Sequence, residues 1–311
     1  MDNREANTLK VGEDTRFGFV AVIGAPNAGK STLVNALVGA KVTIVSRKVQ
    51  TTRMIVRGIV VSGASQIVLV DTPGIFQPRR RLDKAMVNAA WSGASEADAI
   101  VVVVDATRGR DQDTDKVLNK VKDLHGPKYL VLNKVDRLAE KTSLLPLIDD
   151  IAEVLSFEAT YIVSALTGDG IGTLRSDLAL RMPAGPWHFS EEDVSDLPMR
   201  LLAAEITREK IYNRLHQELP YATTVETTGW KELKGKSVRV EQTIYVEQDG
   251  QKKILIGRGG QTVKSISSDA RAELAEIVGR PVHLFLFVKV RKHWSTDPER
   301  YRMLGLDFLG A

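Results

Sequence analysis

The chain has 311 residues, of which 43% are apolar and 26% charged, and this length favours two domains of a globular protein. It contains no cysteine, which excludes disulfides, thiolate metal sites and cysteine nucleophiles. The net charge is +4. Residues 200–311 contain 19 basic and 14 acidic side chains, and this excess of positive charge is typical of a polyanion-binding domain or of a solvated surface.

The start of the chain is polar. Residues 1–15 lack the apolar stretch of a secretory signal, and we predict a flexible tail there. The longest apolar runs, such as residues 99–104, are far shorter than the roughly 20 residues that a membrane span needs. We therefore expect a cytoplasmic protein, with peripheral contact with the inner face of the cell membrane left open.

Residues 16–182 alternate apolar runs with amphipathic segments. Apolar runs of strand length predict strands at 17–24, 57–74 (a hairpin), 99–106, 128–136 and 160–166. Helical spacing predicts helices at 30–39, 81–95, 111–124, 142–155 and 171–182. This order predicts an α/β domain with a doubly wound, largely parallel sheet.

The pattern changes at residues 183–198, where three prolines and several acids without periodicity predict an interdomain linker. Residues 199–311 are then predicted to form a smaller α+β domain with a C-terminal tail. The predicted order is α-β-β-α-α-β, from a helix at 197–219, strands at 221–233 and 237–248, two helices divided by glycines within 251–279, and a strand at 281–290.

Residues 24–31 fit the pattern G-x-x-x-x-G-K-[ST] and stand between a predicted strand and a predicted helix. In such a loop, backbone N–H groups and the helix N-terminus surround phosphates. Lys30 would reach the β- and γ-phosphate oxygens, and the Ser31 hydroxyl would bind Mg²⁺. The phosphate-binding residues predicted here are Gly24, Ala25, Asn27, Ala28, Gly29, Lys30, Ser31 and Thr32.

Residues 133–136, Asn-Lys-Val-Asp, indicate that the base is guanine. They follow a strand, at the sheet edge where ligands bind in such folds. The Asp136 carboxylate can accept both N–H groups of the N1 and N2 edge of guanine, and the Ala165 N–H would meet guanine O6. The base-binding residues predicted are Asn133, Lys134, Asp136, Ser164, Ala165 and Leu166.

Two segments carry residues that would respond to the γ-phosphate. Asp71 would hold Mg²⁺ through a water, and the Gly74 N–H would contact the γ-phosphate, whose loss releases the loop. Within residues 46–54 one threonine should close on Mg²⁺ in the triphosphate state, and Thr52 is favoured over Thr51. The predicted catalytic residues are Lys30, Thr52 and Gly74, and the predicted metal ligands are Ser31, Thr52 and Asp71.

These motifs, in this order, resemble the translation-factor-related superclass of GTPases, which bind GTP and GDP with Mg²⁺. In many relatives a glutamine follows the D-x-x-G motif, whereas here the residue is Ile75. The resemblance therefore implies slow intrinsic turnover that a partner, an ion or loop ordering raises. Asn27 resembles the asparagine that helps hold K⁺ in a subset of these GTPases, which implies K⁺ near the phosphates.

Residues 257–260, Gly-Arg-Gly-Gly, have the G-x-x-G pattern of a KH domain. Glycines let the backbone approach a nucleic acid closely, and the following helix directs its N-terminus at phosphate. The α-β-β-α-α-β order matches a type II KH domain, although a small interaction domain with a tight turn is an alternative. We interpret Ile254, Ile256 and Val263 as packing residues, although in KH clefts such residues also touch bases. The RNA-binding residues predicted are Gly257, Arg258, Gly259, Gly260 and Lys264.

A P-loop GTPase followed by one type II KH domain resembles the Era family of bacterial ribosome-biogenesis GTPases, over about residues 16–307. The matching segments are GAPNAGKSTL, SRKVQTTR, DTPGI, NKVD, SAL and VKVRKHW. The resemblance implies a GTP-hydrolysing switch whose KH domain binds the 3′ end of 16S ribosomal RNA and assists assembly and maturation of the 30S subunit. We expect a monomer. Gly259 departs from the family, which often has a polar or basic residue there.

Three other classes of protein fit the sequence less well. Transfer-RNA-modifying GTPases of the same superclass use a terminal cysteine, which this chain lacks. Tandem-domain assembly GTPases carry two P-loops, and here there is one. A membrane-associated signalling switch would need an exposed basic amphipathic helix, and the G-x-x-G pattern fits RNA better.

Overall fold

The computed structural model describes residues 14–46, 48, 51–74, 78, 81–216 and 218–308. The chain divides into a first compact unit, Met1–Thr43 with Thr52–Asp196, and a second, Ile44–Thr51 with Leu197–Ala311. Of the tail predicted for residues 1–15, residues 1–13 lie outside the described residues. Ile75 also lies outside them.

A six-stranded sheet with helices between its strands forms the first unit. Its strand order is β2-β3-β1-β4-β5-β6, in which β2 runs antiparallel to β3 and all other neighbours are parallel. The predicted α/β class is therefore confirmed. The elements are β1 (Arg16–Gly24), α1 (Lys30–Val38), β2 (Val56–Ser62), β3 (Ser65–Asp71), α2 (Arg81–Ser95), β4 (Ala99–Asp105), α3 (Gln112–Lys122), β5 (Lys128–Asn133), α4 (Leu144–Ala152), β6 (Ala159–Ile162) and α5 (Ile171–Arg181).

The central strands are buried along their whole length because helices cover both faces of the sheet. Every residue of β3 and of β4 is buried, which explains their continuous apolar sequences. Val117, Leu118 and Val121 of α3 pack with Val102 and other residues of β1, β4 and β5 in one apolar cluster. This packing fixes the carboxyl ends of the parallel strands along one edge of the sheet.

Residues 183–196, most of the predicted linker, pack on the first unit. The Trp187 side chain is buried, and its indole N–H donates to the Ala64 carbonyl at 3.0 Å. Buried Gln66 of β3 holds the backbone that follows: its Oε1 accepts the N–H groups of His188 and Phe189 at 3.0 Å each, and its Nε2 donates to the Phe189 carbonyl at 2.9 Å. The segment is held because its backbone groups find buried partners.

We expect Gln66→Leu, which is close in volume, to lower the free energy of unfolding by about 2–4 kcal/mol, since three backbone groups lose their partner. It should also expose the segment at 183–196 to proteases. Urea denaturation and limited proteolysis measure the two effects. Gln112→Leu, at an exposed glutamine, is the matched control. Equal stability of the two variants would contradict the assignment of this role to Gln66.

A three-stranded sheet covered on one face by helices forms the second unit. The strand order is β7-β8-β9, with β7 and β8 antiparallel and β8 and β9 parallel. The predicted α-β-β-α-α-β order is confirmed. The elements are α6 (Met199–Arg214), β7 (Thr223–Glu232), β8 (Val238–Val246), α7 (Asp249–Ile256), α8 (Gln261–Val278), β9 (Val282–Val290) and α9 (Pro298–Met303).

The short helix α9 was not predicted. Its N-cap residue is Asp297, whose side chain accepts the Glu299 N–H at 3.1 Å, and Pro298 stands at its first position. Tyr301 within it is fully buried. Six residues are fewer than two helical turns, so no periodicity could reveal the helix.

Ile44–Thr51 also belongs to the second unit, in which Val45 and Thr51 contact α6. The Val45 N–H donates to Glu209 Oε1 at 2.8 Å, and the Arg208 guanidinium donates to the Thr51 carbonyl at 2.5 Å. Arg208 is almost completely buried and is paired with Glu205.

Throughout the described part of the chain, no helix is long and apolar enough to cross a membrane.

Candidate nucleotide and nucleic-acid sites

The loop between β1 and α1 has a backbone that demands glycine. Gly29 has a φ of +97°, and a Cβ added there would lie 2.3 Å from Asn133 Nδ2. At Gly24 an added Cβ would lie 2.4 Å from the Val103 carbonyl oxygen. Asn27 has a φ of +63°, a conformation that asparagine tolerates better than most residues. Glycine at positions 24 and 29 therefore lets the loop pack closely against β4 and the Asn133 side chain at the N-terminus of α1.

Lys30 begins α1 and is 6% exposed. Its ammonium donates to the carbonyls of Gly24, at 3.1 Å, and Ala25, at 2.9 Å. Burial lowers the pKa of Lys30 to about 8, although the nearby Asp71 opposes the shift. A Cβ added at Gly74 would lie 3.2 Å from Lys30 Nζ, so the backbone of Gly74 faces the same ammonium. A buried cation with carbonyl partners at a helix N-terminus fits an incoming phosphate.

Three hydroxyl groups surround the carboxylate of Asp71, which ends β3 and is fully buried. Asp71 Oδ2 accepts the hydroxyls of Ser31 and Thr43 at 2.8 Å each, and Thr52 Oγ1 lies 3.1 Å from Ser31 Oγ. Asp71 Oδ1 is buried without a hydrogen-bond partner. Burial raises the pKa of Asp71.

This set of oxygens fits Mg²⁺, which binds through one or two carboxylates, waters and the phosphates of its nucleotide. The unsatisfied Oδ1 of Asp71 is the observation that points to a missing partner, because buried polar atoms are otherwise paired. Among the described residues, no group of three or more His, Cys, Asp or Glu could hold a metal ion by itself. A cation held here would therefore depend on the hydroxyls and on phosphate.

Thr51 and Thr52 have different surroundings. Thr52 lies beside Ser31 and Asp71, whereas the Thr51 hydroxyl donates to the Lys48 carbonyl at 2.7 Å. Thr43 was not predicted from the sequence. Its residue type carries no signal, and only its 2.8 Å hydrogen bond to Asp71 places it in the cluster.

Asn133, at the end of β5, connects the predicted phosphate-binding loop to the two loops of the predicted base site. Its Nδ2 donates to the Ala28 carbonyl at 3.0 Å, and its Oδ1 accepts the Ala165 N–H at 3.0 Å. The Ser164 hydroxyl donates to Asp136 Oδ1 at 2.7 Å and so orients that carboxylate, which is exposed. In this structure Asn133 therefore holds the surrounding loops together, and the carboxylate of Asp136 remains exposed to solvent.

Lys134 and Asp105 form a further brace. Lys134 Nζ donates to Asp105 Oδ2 at 2.6 Å and also to the Asn27 carbonyl. Asp105 ends β4 and was not predicted as a site residue, although its place at the carboxyl end of a buried strand was a usable signal. The loop around residues 24–31 is thus tied to both β4 and β5.

Two further residues of the predicted nucleotide site, Leu166 and Thr32, differ in solvent exposure. The strand predicted for 160–166 ends at Ile162, since the Ser164 N–H turns to the Asp169 carbonyl at 3.0 Å. Leu166, beyond that end, is 73% exposed. Thr32, in the first turn of α1, is half-buried.

The second candidate site is the turn between α7 and α8. Gly257 has φ and ψ of 75° and 172°, and Gly259 and Gly260 also have positive φ, of 60° and 77°. A Cβ added at Gly257 would lie 2.1 Å from Thr262 Oγ1. Arg258 and Lys264 are both exposed beside the turn. Backbone and cations are thus presented together at the start of an 18-residue helix.

The interpretation of Ile254 as a packing residue was wrong. Ile254 is 61% exposed, whereas the next residue, Leu255, is fully buried and packs with Ile266. Ile256 and Val263 are half-buried. On a two-turn helix the core-facing position differs by one residue from the one we expected, and Ile254 is left as an apolar side chain near the glycine turn.

The geometry defines a P-loop nucleotide-binding domain followed by a KH domain. Residues 19–134 match the family described as 50S ribosome-binding GTPase, and residues 218–295 match the KH domain family. The chain is 61% identical to GTPase Era of Afipia carboxidovorans over 94% of this chain and 95% of that protein. It is 59% identical to GTPase Era of Sinorhizobium medicae over 99% of this chain and 98% of that protein.

Solved structures agree with this assignment. A variant of Aquifex aeolicus Era bound to GDP and AlF₄⁻ matches with a TM-score of 0.88 and 38% identity, over 94% of this chain and 99% of that one. An Era complex with MgGDPNP and nucleotides 1506–1542 of 16S ribosomal RNA matches with a TM-score of 0.87 and 39% identity, over the same shares. The chain belongs to the Era family of GTPases. It binds guanine nucleotides with Mg²⁺ and hydrolyses GTP to GDP and phosphate.

Proposed function

We propose that the protein binds the 3′ end of 16S ribosomal RNA through its KH domain and assists assembly and maturation of the 30S subunit. The observation that carries this proposal is the glycine turn between α7 and α8, with Arg258 and Lys264 exposed beside it. Such a turn clamps about four nucleotides of single-stranded RNA. The RNA in the complex of the relative supports the choice of ligand.

The direct test is the affinity of the full chain for an RNA of nucleotides 1506–1542, in the presence of GDPNP or GDP. We expect binding that GDPNP strengthens by about tenfold or more, and that weakens steeply with salt because Lys and Arg meet phosphates. A scrambled RNA and anionic liposomes are the controls. Tight binding to liposomes without binding to the RNA would overturn the proposal and favour a membrane-associated switch.

We further propose roles for the nucleotide-site residues. Lys30 neutralises the β- and γ-phosphate oxygens, while Asp136 selects guanine. Mg²⁺, when bound, supplies charge neutralisation at those oxygens. The loop, base and metal residues proposed are Gly24, Ala25, Asn27, Ala28, Gly29, Lys30, Ser31, Thr32, Thr52, Asp71, Gly74, Asn133, Lys134, Asp136, Ser164, Ala165 and Leu166.

We expect Thr52→Ala to weaken GDPNP binding in Mg²⁺ by about tenfold, because a hydroxyl beside Ser31 and Asp71 is lost. GDP affinity should change less, since the proposed contact closes only in the triphosphate state. Thr51→Ala is the matched control, as its hydroxyl bonds to the Lys48 carbonyl instead. Fluorescence titration with labelled nucleotides measures both. A larger effect for Thr51→Ala would reverse the assignment.

We also propose that K⁺ binds near Asn27 and raises GTP turnover. Asn27 is an exposed residue of the loop with a φ of +63°. Asn27→Gly keeps that backbone conformation available and removes only the side chain. Turnover in KCl should exceed turnover in NaCl of equal ionic strength by about tenfold, a charge effect that an arginine finger would exceed. Asn27→Gly should abolish the difference, and equal rates in both salts would refute the idea.

We infer that the protein acts as a monomer in the cytoplasm, where its proposed RNA ligand is found. Sedimentation of the purified protein and fractionation of cells test the two statements. Recovery of most of the protein with the inner membrane, resistant to RNase, would instead support the peripheral contact that the sequence left open.

A further inference from the structure

The face of the β7-β8-β9 sheet that lies opposite α6, α7 and α8 carries exposed aromatic rings. Arg300 of α9 packs on the same face, over the Tyr245 ring. Along β9, Val282 and Leu284 are buried with residues of α6 and α8. The alternate residues Phe285 and Phe287 are 43% and 48% exposed. Exposure of apolar rings to water is unfavourable, so two exposed rings on one face indicate a binding surface.

Basic residues lie beside the two rings. The strand registers place Arg239 of β8 between Lys231 of β7 and His283 of β9. Arg239 Cζ lies 4.5 Å from the centroid of the Phe285 ring. Lys289 lies on the other side of Phe287 along β9. Three basic residues of this face are exposed: Lys231, His283 and Lys289.

The acidic side chains of the same face are engaged by arginines. Glu241 forms an ion pair with Arg239 at 2.7 Å, and Glu226 forms one with Arg300 at 2.8 Å. The face therefore has a net positive charge, from Lys231 and Lys289. Cations around exposed aromatic rings are complementary to a nucleic acid, whereas the centre of a protein interface is usually depleted of charge.

This face is separate from the glycine turn. Leu255 of α7 and Ile266 of α8 pack with Ile244 of β8, whose side chain points to the helix-covered side of the sheet. Phe285 and Phe287 point to the other side, since successive residues of a strand alternate. RNA in the cleft at the turn would leave the rings free.

We propose that the free sheet face, defined by Lys231, Arg239, His283, Phe285, Phe287 and Lys289, is a second RNA-binding surface that stacks unpaired bases. Residues two apart on a strand are roughly 7 Å apart, which suits stacking of one base on each ring. Arg239 adds a guanidinium plane on which a base stacks as well. This inference rests on the proposed RNA-binding function and adds a second contact to it.

The test compares two RNAs on the full chain with GDPNP present. One is a pyrimidine-rich hexamer, which is long enough for a KH cleft, and the other is the same hexamer extended at both ends by about ten unpaired nucleotides. The variants are Phe285→Ala with Phe287→Ala, and Phe285→Tyr with Phe287→Tyr, which keeps the rings. Leu180→Ala is the matched control, because Leu180 is an exposed apolar residue, at 73%, in the first unit.

We expect the extended RNA to bind the unaltered protein at least tenfold more tightly than the hexamer. The double alanine variant should lose this advantage, a fall of about 30-fold or more, because each of two stacked bases contributes roughly 1–3 kcal/mol. The double tyrosine variant should keep the advantage. The same advantage in the alanine variant would overturn the inference. If the alanine variant kept this advantage but no longer bound intact small ribosomal subunits, the face would contact protein instead of RNA, and the inference would also be overturned.

The failures of the two proposals are distinguishable. If neither RNA binds the unaltered protein, the proposed RNA-binding function fails and the second surface fails with it. If both RNAs bind the unaltered protein with equal affinity, only the second surface fails. Circular dichroism of each variant reports whether the fold is kept.

Discussion

Asp136→Asn is expected to lower the affinity for GTP by about 10²- to 10⁴-fold, because two charge-assisted hydrogen bonds of roughly 1.5–3 kcal/mol each are lost or weakened. It should also make xanthosine triphosphate the preferred nucleotide. Xanthine has a carbonyl where guanine has the 2-amino group. An amide at position 136 can donate to that carbonyl and still accept the N1–H, whereas a carboxylate repels it.

The structure supports a local effect of this change. Asp136 is exposed, and its Oδ1 accepts the hydroxyl of Ser164, in the loop after β6, at 2.7 Å. The same hydroxyl can donate to an amide oxygen. Asn133, which braces the surrounding loops, is left intact.

Competition between GTP and xanthosine triphosphate, measured by titration on the purified variant, gives the preference. Asp169→Asn is the matched control, because Asp169 is another exposed carboxylate of the same region, bonded to the Thr167 hydroxyl at 2.7 Å. Loss of both nucleotides would show that Asp136 has a structural role. An unchanged preference for GTP would remove it from the base site.

The sequence predicted the parts of the site that depend on local order along the chain. Gly29 is needed for a positive φ, and Lys30 is needed at a helix start, and both requirements act within a few residues. The periodicity of β4 likewise reveals a strand buried on both faces, because seven neighbouring residues have the same surroundings.

The parts that escaped prediction depend on contacts between distant residues. Thr43 joins Asp71, 28 residues on, and Gln66 holds a backbone segment more than 120 residues away. An isolated threonine or glutamine has no pattern that indicates such a partner. Asp105 is intermediate, since its position at a strand end was visible while its pairing with Lys134 was not.

Gly257→Ala is expected to weaken binding of the 1506–1542 RNA by about 100-fold or more. Its φ of 75° with a ψ of 172° is a conformation that residues with a Cβ rarely adopt, at a cost of about 1–3 kcal/mol. The added Cβ would also lie 2.1 Å from Thr262 Oγ1, 2.8 Å from Thr262 Cβ and 3.0 Å from Thr262 N. Because the last two atoms belong to the start of α8, the side chain cannot simply rotate away.

The helix N-terminus that is proposed to meet phosphate must therefore shift, and the clamp opens. Gly259→Ala separates the two causes, since Gly259 also has a positive φ, of 60°, but an added Cβ there meets nothing within 4 Å. We expect it to weaken RNA binding by a smaller factor. Gly172→Ala, in α5, where nothing lies within 4 Å of an added Cβ, should bind RNA as the unaltered protein does.

Fluorescence anisotropy with the labelled RNA ranks the three variants, and GDP affinity checks that each remains folded. If Gly257→Ala and Gly259→Ala weaken binding equally, backbone conformation alone decides and the contact with Thr262 is unimportant. If Gly257→Ala binds RNA like the unaltered protein, the turn is not the clamp. RNA recognition would then have to be assigned to another surface of the second unit, of which the free sheet face is the first to test.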